Sequence, residues 1–194
     1  MSQAERDKWD ERYRDGAYER RTHPTALLAA WLPFLPRGRA LDVACGAGRN
    51  ALFLAASGFA VDALDISAVA LERGRRAAEV RGLAIDWRLA DFDDRPEQWL
   101  PSNYDLIVWI RYVNRALLPL LIARLRPGGH LICEQHLDTT ADVAGPRNPD
   151  FRLRLGELRE GARGLAVRHY HEGLVVDPDG RTVALAQLVA RASA

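Results

Sequence analysis

Lysine, methionine and cysteine are almost missing from this sequence. Lys8 is the single lysine, Met1 the single methionine, and Cys45 and Cys133 are the two cysteines among 194 residues. Two cysteines far apart, each inside an apolar run, offer neither a disulfide framework nor the clustered spacing of a zinc site, so no metal is expected and a reducing cytoplasm is the expected compartment. No apolar run is long enough to span a bilayer, and the opening MSQAERDKWDERYRD is too charged for a secretory signal. A membrane partner is therefore not expected. Charge of one sign is missing too. The 27 basic and 26 acidic residues leave a formal net charge of +1, and the arginines are interleaved with acids rather than gathered into a stripe, which argues against a nucleic-acid surface. There is no repeat, low-complexity tract or obvious linker. What is present, 48% hydrophobic residues, suffices for a single domain over 1–194 with a sizeable core.

Apolar periodicity alternates between strand and helix. SQAERDKWDERY, with Ser2 and Glu5 at capping-box spacing, predicts a short helix, and HPTALLAAWLPFL a second one starting near Pro24. RALDVAC then reads as a strand, GRNALFLAAS as a helix stopped by Gly58, and FAVDALD as a strand. Ser67 caps a helix running toward Gly82. LAIDWRLAD and YDLIVWI are strands, NRALLPLLIARL is a helix broken by RPGG, and HLICEQH is a fifth strand. GLAVRHYHEGLVV and RTVALAQLVARA, joined by the turn DPDG, form a closing hairpin. Continuously apolar strands alternating with helices predict an α/β fold, a mostly parallel sheet with helices on both faces and an antiparallel strand contributed by the hairpin.

In such a sheet, ligands bind beyond the carboxyl ends of the strands. There Gly46 and Gly48 permit a sharp turn and close approach of a ligand, and the following helix points amide N–H groups at it. Asp65, with Ile66 beside it, ends the second strand close to the ~20-residue spacing at which an acid accepts hydrogen bonds from ribose hydroxyls. The turn thus expects a nucleoside. GAGRNA also satisfies the G-x-G-x-x-A form of a dinucleotide fingerprint, so the glycines alone leave NAD and S-adenosylmethionine both open. Asp42, inside the first strand, can anchor the glycine loop or meet a cationic group. Asp91, next to Phe92, adds an acid after the third strand. Three acids and no pyrophosphate to neutralise suit S-adenosylmethionine better.

Asp42-Val43-Ala44-Cys45-Gly46-Ala47-Gly48, Asp65, Asp91-Phe92, YDLIV and LRPGG together resemble the class I S-adenosylmethionine-dependent methyltransferases. WDERYRDGAY, CGAGRNALFLA, DISAVALERGR and GPRNPDFRLRLGEL resemble, within that superfamily, the tellurite-resistance (TehB-like) group. The resemblance implies a Rossmann-like seven-stranded sheet with its last strand antiparallel, and S-adenosylmethionine as cofactor. Carried over position by position, it implies that Gly46 and Gly48 approach the methionine end of the cofactor, Asp65 its ribose, and Asp91 with Phe92 its adenine. Residues 1–23 would be a helical lid, with Trp9, Tyr13 and Tyr18 as aromatic candidates suited to a cationic ligand. Ala44 departs from the group, which usually has glycine there; cofactor binding is expected to survive the extra methyl.

Acceptor-facing candidates follow from strand ends. Arg111 and Tyr112 follow the fourth strand and His136 the fifth, while His23 joins the lid to the first packed helix. Arg111 is expected to hold an anion, and His136 or His23 to accept a proton. The long segment DTTADVAGPRNPDFRLRLGELRE is read as a substrate cover shaped by Gly145, Pro146 and Pro149, with Arg147 available to an anion and Glu157 closing the site. His169 and His171 share a strand face but lack a third ligand. WIRYVNR lacks the N-P-P-Y type of motif associated with amine methylation on nucleic acids. The expected activity is methyl transfer to a small molecule, a chalcogen oxyanion, thiol or similar xenobiotic, by a monomer or homodimer. An NAD-dependent oxidoreductase and a catalytically idle S-adenosylmethionine sensor are the alternatives.

Overall fold

The computed structural model describes residues 3–193; Ser2, the expected cap of the first helix, lies outside them. The elements run in the order α1 (Gln3–Arg14), α2 (Ala26–Trp31), β1 (Arg39–Val43), α3 (Arg49–Ala56), β2 (Ala60–Asp65), α4 (Ala68–Val80), β3 (Ile85–Leu89), β4 (Tyr104–Ile110), α5 (Leu117–Ile122), β5 (Leu125–His136), α6 (Glu157–Gly161), β6 (Ala166–Val176) and β7 (Thr182–Arg191). The seven strands form one sheet in the order β3-β2-β1-β4-β5-β7-β6. Strands β1 to β5 pair in parallel, and β7 is antiparallel to both of its neighbours. This is the seven-stranded, mostly parallel sheet with an antiparallel hairpin strand that the pattern predicts.

Alternation along the strands feeds two cores, because successive side chains leave opposite faces. Leu41, Val43, Ile107, Trp109, Leu131 and Cys133 pack on one face with Leu117, Leu118 and Leu121 of α5 and Leu158 of α6. Ala40, Val61, Ala63, Leu106, Val108 and Ile132 pack on the other with Leu27 and Leu28 of α2 and Ala51 and Leu54 of α3. The central strand β4 is buried along its whole length, as expected where both faces are covered.

Two local readings are corrected. The helix predicted from Asn114 to Leu125 is confined to Leu117–Ile122, and RPGG does not separate it from the fifth strand but belongs to that strand, which begins at Leu125. Register slips between Tyr104 and Leu106 to admit the extra residues. A Cβ on Gly129 would sit 2.7 Å from the carbonyl oxygen of Tyr104, so glycine here serves a strand irregularity. The second helix is also shorter than predicted: α2 ends at Trp31 and continues as a single 3₁₀ turn, Leu32–Phe34, with Pro33 inside it.

Candidate functional site

A cavity of about 600 Å³ opens at the carboxyl ends of β1, β2, β4 and β5, beneath the segment that carries α1. Its wall includes Trp9, Tyr13, Asp42, Gly46, Asp65, Ile66, Phe92, Arg111 and His136 from the sequence-predicted set, together with Tyr18 and Tyr112. Gly48, Asp91 and His23 are not part of that wall.

The glycine turn is built by strand-end carboxylates. Gly46 N–H donates to Asp65 Oδ2 at 2.7 Å and Ser67 N–H to Asp65 Oδ1 at 2.9 Å, so Asp65 ties the β1 turn to the start of α4. Asp42 Oδ2 accepts the N–H of Ala51 at 3.0 Å, bracing the first turn of α3 against β1. Both acids are buried. Burial pushes the Asp42 carboxyl up to about 7, opposed by the Ala51 N–H and by Arg49. Burial raises Asp65 as well, against the pull of its backbone donors. Ala44 lies in the left-handed region at φ +52°, where glycine is unstrained and an L-residue is not. The added methyl is thus tolerated at a conformational cost. The two glycines have different tasks. A Cβ on Gly46 would lie 2.3 Å from the Tyr13 hydroxyl, on the cavity side, whereas one on Gly48 would lie 2.2 Å from the Trp87 ring. Gly48 therefore makes room for a β3 side chain, not for a ligand.

Above the turn, α1 is fastened to α4. Asp10 Oδ1 accepts the Ser67 hydroxyl at 2.6 Å and the Val69 N–H at 3.2 Å, adding an acid to the amino end of α4 where its dipole favours one. Ser67 Oγ in turn accepts Ala70 N–H at 3.1 Å, the expected cap. Arg73 donates to the carbonyls of Tyr13 and of Ala17, answering the carboxyl end of α1. Tyr13 is buried, stands 6.3 Å centroid to centroid from Trp9, and brings its hydroxyl to Gly46. Burial beside Asp65 raises its pKa, so it is a neutral phenol. Phe92 and Tyr112, with centroids 6.1 Å apart, close the cavity below β3 and β4.

Beyond β4 and β5 lies a buried charge cluster. Arg111, at φ +56°, donates to Asp177 through both terminal nitrogens, at 2.7 Å for Nη1, and through Nε to Glu134 Oε1 at 3.1 Å. Gln187 Nε2 donates to Glu134 Oε2 at 2.8 Å. Asp177, in the β6–β7 turn, and its neighbour Asp179 also attract Arg21, at 3.9 and 3.4 Å. Arg111 is therefore held by two carboxylates of the protein and is not the free anion-holding group expected at this position. His136 lines the cavity, and burial with Arg111 and Arg152 nearby lowers its pKa to about 4, leaving it neutral at pH 7. Its Nδ1 is buried without a hydrogen-bond partner.

The segment 137–156 folds back on itself beyond the end of β5 and meets the start of β7. Leu137 bridges to Leu153 and Ala144 to Val183, while Arg152 donates to the Pro146 and Leu137 carbonyls at 2.7 and 2.9 Å. Among the described residues, none of 137–156 contributes to the cavity wall. Arg147 is exposed, and Glu157 pairs with Arg115 and accepts Arg154 N–H. His23 offers its carbonyl to Arg49, Asp91 accepts Asp93 N–H at 3.0 Å, and His169 and His171 belong to no metal-binding group among the described residues. Sequence reasoning passed over Arg49, Asp10, Glu134 and Asp177. Arg49 stands inside the quoted GRN run. Asp10 acquires meaning once α1 packs on the start of α4, and Glu134 and Asp177 once strand order brings the β6–β7 turn over the crevice.

Residues 40–129 match a family model described as a methyltransferase domain. A ribosomal protein L11 methyltransferase of Symbiobacterium thermophilum is 38% identical over 117 residues, 57% of this chain and 37% of that protein. A probable S-adenosyl-L-methionine-dependent methyltransferase TehB of Haemophilus influenzae is 27% identical over 143 residues, 70% of this chain and 49% of that protein. The crystal structure of TehB from Haemophilus influenzae shares the fold, with a TM-score of 0.73 at 23% identity over 95% of this chain and 67% of the other. A structure described with the conversion of a disulfide bond into a thioacetal group during echinomycin biosynthesis gives a TM-score of 0.68 at 25% identity, over 88% of this chain and 83% of the other. The chain spans between about a third and a half of the length of the curated relatives it matches. No helix among the described residues is long and apolar enough to cross a membrane.

Proposed function

We propose, from the premise that this chain belongs to the class I S-adenosylmethionine-dependent methyltransferases of the TehB-like group, that it methylates a small-molecule acceptor within the cavity. The observation that carries the reading is one continuous cavity, about 600 Å³ in volume, whose wall includes Gly46, Asp65, Ile66 and Phe92 together with Tyr112 and His136. That is room for a nucleoside-bearing ligand and a small acceptor together, within the range of roughly 300–1,000 Å³ typical of such sites.

The cofactor supplies an activated methyl on a sulfonium, and the protein's task is to place an acceptor in line with it and exclude water. Asp65 uses one lone pair of each oxygen on backbone N–H groups; a carboxylate oxygen has a second, and these are what a ribose diol would take. Phe92 presents a ring to the adenine. Tyr13 and Trp9, on the lid formed by residues 1–23 of a single domain over 1–194, present aromatic rings to the cationic centre. Asp42, below it, braces the first turn of α3 through the Ala51 N–H. His136, unprotonated at neutral pH, accepts a proton or hydrogen bond from the acceptor. The acceptor class we favour is a chalcogen oxyanion, a thiol or a similar xenobiotic. The similar structure described with the conversion of a disulfide bond into a thioacetal group supports a sulfur nucleophile, and the resemblance to the tellurite-resistance group supports a chalcogen oxyanion. The reading carries with it a cytoplasmic monomer or homodimer without nucleic-acid or membrane partners.

Calorimetric titration with S-adenosylmethionine and S-adenosylhomocysteine, with NAD(H) in parallel, tests the site. The expected result is binding of the adenosyl pair alone, followed by S-adenosylhomocysteine release in a screen of tellurite, selenite and small thiols. Binding of NAD(H) alone would overturn the reading, and cofactor binding with no turnover on any acceptor would favour a sensor.

A further inference from the structure

Four arginines of the cavity wall have their charge answered or solvated. Arg111 is held by Asp177 and Glu134, and Arg21 faces Asp177 and Asp179. Arg73 serves the carbonyls at the end of α1, and Arg81 is exposed to solvent. Arg49 is different. It opens α3, lines the cavity and is only partly exposed. Its guanidinium donates to two neutral acceptors, the His23 carbonyl at 3.4 Å and Thr25 Oγ1 at 3.1 Å. A guanidinium carries five N–H donors. Among the described residues no carboxylate oxygen lies within 4 Å of it, and its remaining donors have no protein partner. Its backbone start and its two contacts fix the planar head, so the unused edge is pre-organised for a two-oxygen anion.

We propose that Arg49 holds the negatively charged group of a ligand in this cavity, a carboxylate or a small oxyanion. Burial and the charge of Arg111 disfavour the guanidinium cation, and the more distant carboxylates Glu134, Asp42 and Asp177 offset them only in part; an anion arriving in direct contact relieves the remainder. The chemistry has two sources: the carboxylate of the cofactor's amino-acid end, or an anionic acceptor. Both rest on the methyltransferase reading for their identity, but the cation in the cavity does not.

The test uses the full chain and its Arg49→Gln and Arg49→Lys variants, checked for unchanged thermal unfolding. Each is titrated with S-adenosylhomocysteine, with 5′-methylthioadenosine, which has the same nucleoside and thioether without the amino acid, and with sodium selenite in the presence and absence of S-adenosylhomocysteine. If Arg49 holds the cofactor carboxylate, Arg49→Gln weakens S-adenosylhomocysteine roughly 10- to 100-fold and leaves methylthioadenosine unchanged. If it holds the acceptor, both adenosyl ligands are unchanged and selenite binding is lost. Arg49→Lys keeps the charge without the planar fork and should fall between in either case. Equal weakening of both adenosyl ligands, or no change in any titration, would overturn the proposal. Failure of the unmodified chain to bind any adenosyl compound would instead strike the methyltransferase reading. In that case the selenite titration alone decides Arg49, and equal selenite binding by wild type and Arg49→Gln, or none by either, refutes it.

Discussion

Replacing Asp42 by asparagine should stabilise the protein at high pH and change little near pH 4. Asp42 is 1% exposed, and burial moves its carboxyl from an ordinary 3.8 to about 7. A carboxyl whose pKa is raised by folding contributes stability that is fully present below its unfolded pKa and is lost as pH rises through its folded one. The loss therefore accumulates between pH 3.8 and about 7. At 1.36 kcal/mol per pH unit it reaches about 4 kcal/mol on the alkaline side, with no allowance for solvent needed at so low an exposure. Asparagine retains an oxygen for the Ala51 N–H, 3.0 Å away in the native arrangement, and has nothing to ionise. Urea unfolding of the two proteins at a series of pH values between roughly 4.5 and 8.5 reads the difference directly. The gap between them should widen by about 3 kcal/mol over that interval and stay level above it. A gap that is constant with pH would mean that Asp42 ionises normally in its buried position, and the reasoning would fail.

Ala44→Gly should raise stability by about 0.5–1 kcal/mol, the left-handed cost of ~1–2 kcal/mol at φ +52° less the chain entropy glycine adds to the unfolded state; a lower midpoint on thermal unfolding would refute it. Gly48→Ala drives a methyl into Trp87 in a left-handed position and should cost roughly 2–4 kcal/mol, with altered Trp fluorescence, while an unperturbed variant would remove the packing role assigned to Gly48. Asp65→Ala should lose about 1.5–3 kcal/mol of S-adenosylhomocysteine affinity and destabilise the turn by freeing the Gly46 and Ser67 N–H groups. Undiminished affinity in a folded variant would sink its ribose role. His136, whose folded pKa is depressed to about 4, favours folding above its unfolded pKa, and that contribution is lost as pH falls from 6.5 through 4. His136→Asn should flatten the acid limb of the stability profile by about 2 kcal/mol, allowing for partial exposure, and an unchanged acid limb would contradict the assignment.

Strand identity, strand direction and the location of the crevice were legible in the sequence, because each depends on local periodicity and on glycine, proline and capping residues at fixed offsets. Gly58, Ser67 and the DPDG turn act in the structure as their chemistry suggests. Residue pairs distant in the chain were not legible. Gly48 looks like a ligand-facing glycine until Trp87, on another strand, is seen to fill the space beside it. Arg111 looks free until Asp177 and Glu134 reach it from the hairpin and from β5. RPGG looks like a break because its glycines are strong turn signals locally, and only the register slip against Tyr104 shows that they serve a strand irregularity.

The placement of β7 between β5 and β6 bears on how the molecule is made. Strand β6 is synthesised before β7 yet pairs in the sheet with β7 alone, so it cannot join the sheet until β7 is made and links it to β5. Asp177 travels with that hairpin, and until it docks, Arg111 lacks its bidentate counter-charge and Arg21 its anchor. A nascent chain halted within β7 can have a nearly complete hydrophobic sheet, but the rim of its crevice is electrostatically unfinished. Competence for binding should therefore lag behind collapse of the core, and the two events can be separated in time on the ribosome.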